Sequence, residues 1–213
     1  MELENKRFTV IQHPLVAHKM SYLRDEAARP TEFRQLVSEL AAIEVYEALR
    51  DAPLEDVTVR TPLADAPCQR IPSGAITVVP ILRAGLGMLE GVHRTLPAAS
   101  VGHLGMERDE TTHEAHPYYA KFPPRIAEST VLLVDPMLAT GGSAIAALKY
   151  LRDAGVQDIR LLVLVAAPEG VQAVLEADPD VRIWTCALDD GLNEDAYILP
   201  GLGDAGDRIF GTL

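Results

Sequence analysis

Two cysteines in 213 residues, Cys68 and Cys186, cannot build a disulfide framework. They lie far apart and in no metal-type spacing, so no structural disulfide is expected and a reducing compartment fits. Long apolar runs are missing too. No stretch approaches bilayer-spanning length, and the opening MELENKRFTV lacks the basic-then-apolar pattern of a secretory signal. The expectation is a cytoplasmic protein with no membrane partner. Basic charge is the third shortage: 19 Lys and Arg stand against 31 Asp and Glu, a net charge of −12. Nucleic acid calls for a basic patch, so none is expected as a partner, although a few local cations can still hold a phosphate. No long polar tract occurs either. With 48% hydrophobic and 23% charged residues, a packed core is expected rather than disorder.

What is present is a rhythm. From Ala75 onward, short apolar runs rich in β-branched residues recur: AITVVPIL, SVGHLGM, TVLLVD, IRLLVLVAAP and VRIWTCAL. Helical patterns separate most of them, over Leu86–Leu96, Ser143–Ala154 and Glu169–Ala177. Continuous apolar strands alternating with helices predict an α/β fold with a central parallel sheet flanked by helices. Functional loops then belong at the carboxyl ends of the strands. The first 50 residues read as a helical arm, with Thr31 as an N-cap and Phe33, Leu36, Val37, Leu40 and Ala41 on one face. VTVRTPLADAPCQRI reads as short extended segments with turns at Pro62 and Pro67. The polar stretch 107–130 is long enough to be a functional loop, a mobile one or an extra hairpin. The Gly- and Asp-rich tail from Asp189 has little periodicity. Neither repeats nor a linker are visible, so a single domain over 1–213 is expected.

The most informative stretch is VLLVDPMLATGGSAIAALKYL. A strand runs into Asp135, a short loop carries Thr140, Gly141, Gly142 and Ser143, and a helix follows. Glycines let the backbone turn tightly and approach a ligand, and the amides at a helix start favour an anion. Thr140 and Ser143 add hydroxyl donors. Asp135, an acceptor when ionised, suits sugar hydroxyls rather than phosphate. A Walker loop would need a lysine that is absent, and a dinucleotide fingerprint would open the first βα unit, whereas this loop comes late. An ordinary βα turn with packing glycines is the competing reading.

Asp135–Ser143 resembles the 5-phosphoribosyl-1-diphosphate (PRPP) motif of the type I phosphoribosyltransferases. Where that family usually carries two adjacent acids, this chain has Asp135 followed by Pro136, and DPMLATGGS resembles the uracil phosphoribosyltransferase branch. HPLVAHKM, VVPILRAGLGM, LVLVAAPEG and YILPGLGDAGDRIFGT extend the resemblance over nearly the whole chain. It implies the type I phosphoribosyltransferase fold, with an N-terminal helical arm, a long flexible loop and a C-terminal hood. The implied reaction joins uracil to PRPP, giving UMP and diphosphate in pyrimidine salvage.

The resemblance also assigns residues. PRPP is expected at Arg83, Arg108, Asp135, Pro136, Met137, Leu138, Ala139, Thr140, Gly141, Gly142, Ser143 and Asp204. Of these, Arg83, Arg108 and Asp135 are the expected catalytic groups. Arg83 would fork onto the diphosphate, from a loop that in the wider family often holds a strained peptide bond. Arg108 opens the loop that closes over PRPP, although Glu107 stands where relatives often carry Tyr. Uracil is expected at Ile198, Gly203, Asp204 and Ala205. Uracil's edge reads acceptor, donor, acceptor, which backbone groups can meet without side chains, and cytosine reverses two of the three. Turn formation alone would also account for these glycines and aspartates. Tyr197 is either a cover for the base or a core or hydrogen-bonded tyrosine. Mg²⁺ is the expected cofactor, held mainly through PRPP and water with no protein metal site; the six histidines fit no zinc signature. A GTP effector and a homodimer or higher homo-oligomer complete the expected partners. Two alternatives stay open: an RNA-binding regulator on the same fold, and a transferase for another base. Orotate would need a cation near the tail, where Arg208 is the candidate.

Overall fold

A computed structural model describes residues 7–108 and 115–212. Nine strands form one sheet in the order β1-β11-β10-β8-β4-β6-β7, with β5 beside β4 and β9 beside β10. In chain order these are β1 (Phe8–Val10), β4 (Ile76–Leu82), β5 (Ser100–Val101), β6 (His103–Arg108) and β7 (Ala115–Lys121). They continue with β8 (Thr130–Val134), β9 (Met137–Leu138), β10 (Ile159–Ala166) and β11 (Arg182–Leu188). Every pairing is parallel except β6 with β7.

Alternation explains why these strands are apolar throughout. Successive side chains point to opposite faces, and both faces are covered. Ile76, Val78, Leu132, Val134, Leu162 and Leu164 enter one core with helices α1 (Pro14–Arg24), α2 (Pro30–Ala48) and α3 (Leu86–Thr95). Val79, Ile81, Val131, Leu133, Leu161 and Val163 enter the other, under α4 (Gly142–Asp153) and α5 (Pro168–Ala177).

The arm differs from its expected form in two respects. Its described part includes a strand, β1, whose Phe8, Thr9 and Val10 pair with Ile183, Trp184 and Thr185 of the sheet edge. Its second helix starts two residues earlier than an N-cap at Thr31 implies: Pro30 takes the first position and Arg29 is the cap, its N–H donating to Glu32. Proline suits that first position because its missing N–H would be unpaired there anyway. Gly91 of α3 lies so close to Ser38 O that a Cβ would overlap it, which brings α2 and α3 together.

Pro62 lies in a turn as expected, but Pro67 does not. The strands β2 (Glu55–Arg60) and β3 (Asp65–Arg70) form an antiparallel hairpin in which Pro67 pairs with Thr58. A two-stranded ribbon has free outer edges, where a missing N–H is tolerated. The 107–130 stretch contributes β7, a hairpin partner for β6, and then a short 3₁₀ turn at Ile126–Glu128. Pro117 pairs with Met106 beside the register shift between Gly105 and Met106, again where the ladder is interrupted. The middle of the expected loop, 109–114, lies outside the described residues. No helix among the described residues is long and apolar enough to cross a membrane.

Candidate active site

The chain leaves β4 toward β6 on one side, then returns to β8 on the other side of β4 and continues outward to β10 and β11. The carboxyl ends of β4 and β8 therefore flank the point where strand order reverses, where open α/β sheets bind ligands. Arg83 follows β4 and Asp135 follows β8. Their loops touch: a Cβ on Gly85 would overlap Val134 O and lie 2.8 Å from Ile81 O. The Leu82–Arg83 peptide is cis. Arg83 is exposed to solvent, with its guanidinium carbon 5.7 Å from the centre of the Phe210 ring. Arg108 ends β6, one strand further out, where Gly105 pairs with Leu82.

Asp135 is half-buried. Burial pushes its carboxyl up to about 7, partly offset by the N–H of Met137. The residues that follow are less loop-like than expected. Met137 and Leu138 form β9 beside Val165 and Ala166 of β10. Pro136 O accepts from Leu164 N (3.0 Å) and Val165 N (3.1 Å), and Leu138 O from Ala167 N (2.9 Å). Leu138 is buried in the core, so its side chain serves packing.

The loop proper is Ala139–Gly141. Gly141 caps α4 in the left-handed region at φ 86°, a conformation that favours glycine. No side chain caps this helix, and Gly142 N has only a long approach of 3.4 Å to Thr140 Oγ1. The opening turn of α4 thus presents amides and a partial positive charge beside Thr140 and Ser143. Gly170, in the first turn of α5, comes so close that a Cβ would overlap Ala139 O and lie 2.9 Å from Leu138 O.

The hood consists of the ribbon β12 (Gly191–Leu192) with β13 (Ile198–Leu199) and the short helix α6 (Ala205–Phe210). Ile198 and Ala205 are buried, whereas Gly203 and Asp204 are exposed. The Leu199–Pro200 peptide is cis, and Gly201 and Gly203 have positive φ. Asp204 caps α6 by accepting from Asp207 N at 2.9 Å. The hood leans onto the Arg83 loop: a Cβ on Gly87 would lie 2.8 Å from Ile209 Cδ1, and one on Gly206 would lie 3.9 Å from Ala84 Cβ. Tyr197 is half exposed, so it is not a core tyrosine.

Several residues that shape the site had no local signal. Glu169 Oε1 accepts from Leu192 N at 3.2 Å and ties the hood to α5. Arg24 and Asp189 hold Gly201. Arg208 donates to Leu202 O (2.8 Å) and to Asp25 O, and stacks 4.3 Å from the Phe33 ring centre. Burial lowers its pKa, with Asp25 acting the other way. Its guanidinium is thus occupied by the protein itself.

The family model described as uracil phosphoribosyltransferase matches residues 10–212. The uracil phosphoribosyltransferase of Lacticaseibacillus paracasei is 54% identical over 97% of this chain and 99% of its own. That of Symbiobacterium thermophilum is 53% identical over the same shares. A solved Aquifex aeolicus protein is 38% identical, with TM-score 0.91 over 95% of this chain and 97% of its own. The adenine phosphoribosyltransferase of Trypanosoma brucei is 12% identical, with TM-score 0.60 over 94% of this chain and 90% of its own, and shares the fold. The chain belongs to the uracil phosphoribosyltransferase family.

Proposed function

We propose that this chain, as a single domain over 1–213, transfers the phosphoribosyl group of PRPP to uracil, giving UMP and diphosphate. The observation that carries the reading is the meeting, at one switch point, of an uncapped helix start behind Gly141, the carboxyl of Asp135 and the Arg83 loop under the hood. The C1′–O bond to diphosphate breaks, the N1–C1′ bond forms on the opposite face, and the N1 proton leaves to water. The amides and hydroxyls of Thr140–Ser143 anchor the 5-phosphate, with Pro136–Ala139 shaping the approach through their backbone. Asp135 holds the ribose hydroxyls. Arg83 and Arg108 neutralise the departing diphosphate, and fixed charge of this kind is a large part of catalysis. Ile198, Gly203 and Ala205 read uracil through backbone groups, with Asp204 between base and ribose.

Among the described residues, no group of three or more His, Cys, Asp or Glu is arranged to hold a metal. The donor set suits a Mg²⁺ that enters on the diphosphate, with Asp135 and Asp204 available to its waters. When bound, the ion adds charge neutralisation on the leaving group. The occupied guanidinium of Arg208 supports uracil over orotate, whose carboxylate would need a free cation there.

Exposed apolar side chains on the arm and hairpin, among them Leu15, Tyr22, Tyr46 and Leu63, support a homodimer or larger homo-oligomer. The free thiols Cys68 and Cys186 support a reducing, cytoplasmic setting. A GTP effector is an expectation of the family, tested by assaying the same reaction with and without GTP. The deciding experiment is a panel of radiolabelled bases with PRPP and Mg²⁺. Nucleotide formation from uracil is expected; incorporation of orotate or hypoxanthine in its place would overturn the reading.

A further inference from the structure

The hood has a second anchor, in the N-terminal arm. Arg24 is the last residue of α1, and its guanidinium forks onto Asp189, with Nη2 donating to Oδ1 at 2.5 Å and Nη1 to Oδ2 at 2.8 Å. The same Nη1 donates to Gly201 O at 2.6 Å, and Gly201 N donates to Asp189 Oδ2 at 2.8 Å. Both backbone polar groups of Gly201 are therefore held by this one pair. Asp189 is buried, and its own N–H donates to Ala166 O at 2.9 Å, which seats the carboxylate on the end of the sheet. Gly201 has φ 62°, and a Cβ there would overlap Ile198 O, so it closes a tight turn onto Ile198. A reciprocal tie runs from Arg208 of the hood to Asp25 O, the residue after Arg24.

We infer that Arg24 and Asp189 are positioning residues for the base-binding turn. Acting through Gly201, they aim the backbone groups between Ile198 and Ala205. The inference rests on the uracil reading above. Its physical basis is that a base read by backbone groups has no side chain able to swing and correct an error. The turn must be held from outside, and a two-pronged guanidinium on a seated carboxylate does so with fixed geometry. Neither residue needs to touch the substrate.

Steady-state kinetics of wild type, Arg24→Lys, Arg24→Ala, Asp189→Asn and the Arg24→Ala/Asp189→Asn double variant, each with its melting temperature, test this. In Arg24→Ala, KM for uracil is expected to rise about tenfold and KM for PRPP by no more than about threefold, because the released turn carries the base-reading backbone but only one proposed PRPP contact, Asp204. Arg24→Lys, with a single prong, falls between. The double variant is no worse for uracil than the worse single one, because the two residues act as a unit. An unchanged uracil KM in folded Arg24→Ala, or an equal rise in both KM values, would overturn the inference. If Arg24→Ala does not fold, the near-isosteric Asp189→Asn decides by the same split. A wild-type chain that phosphoribosylates other bases but not uracil would instead sink the functional reading beneath it.

Discussion

Asp135 and Glu44 are two carboxyls that burial has pushed the same way, with different consequences. Asp135 stands at the site with its pKa raised to about 7. If it accepts ribose hydroxyls as a carboxylate, PRPP affinity should strengthen as pH rises through 7 and the proton leaves. In Asp135→Asn that part of the pH dependence should vanish and affinity fall, which calorimetric titration at pH 6 and pH 8 reads directly. Wild-type affinity in the variant would count against the ribose role. Glu44 lies fully buried between α2 and β11. Burial holds its carboxyl well above the usual range, slightly offset by the 3.6 Å contact with Cys186 Sγ, and its Oε2 has no partner. Its proton is retained by the folded state and released by the unfolded chain above about pH 4.5. The native state therefore loses stability as pH rises from there toward the raised folded value. Glu44→Leu should be more stable than wild type, and the gain should be larger at pH 8 than at pH 5. A gain independent of pH would show that Glu44 does not retain its proton.

At the scale of elements, the unit of β8, β9 and α4 that frames the proposed phosphate loop depends on α5. Gly170 lets α5 approach the carbonyls of Leu138 and Ala139 more closely than any Cβ would allow. Gly170→Ala should destabilise the fold by about 1–3 kcal/mol, the usual range for overpacking. It should also weaken PRPP binding more than uracil binding, because the displaced carbonyls belong to the loop proposed to hold the 5-phosphate. Denaturant melts and the two KM values check this. Helices α3, α4 and α5 lie within a residue or so of their expected spans, because apolar periodicity and short-range signals are local. The strands β1 and β9 were not anticipated as strands, whereas β7 realises the hairpin option for the 107–130 stretch. β1 and β9 are only three and two residues long, and each owes its conformation to a strand further along the chain, β11 and β10 respectively.

Across the whole molecule, the two ends of the sheet do different work. The carboxyl ends carry the candidate site. The opposite end carries an ion network in which Arg160 pairs with Asp51 and Asp158, and Arg182 with both again. Burial pushes Asp158 up, but hydrogen bonds from Arg160, Arg182 and Thr130 outweigh it and hold the carboxyl below its usual value. Such a group stabilises the fold above the ordinary aspartate range, and that stabilisation is lost as pH falls through the depressed folded value. Arg160→Met should cost stability near the lower end of the roughly 3–5 kcal/mol for breaking a buried pair, since Asp51 and Asp158 keep solvent contact. It should also flatten the acid limb of the stability curve and leave both KM values unchanged. By itself the sequence determined the alternation of strand and helix, the glycine-bearing loop after Asp135 and, through motifs spread along the chain, the family. These are properties of neighbours in the chain, set by backbone sterics and apolar spacing. Only the tertiary structure decided that Arg24 meets Asp189, that Arg208 is engaged inside the protein, and that β4 and β8 flank the switch point. Those pairings join residues up to 183 positions apart, and a contact at such separation is selected by the packing of the whole sheet rather than by any local pattern.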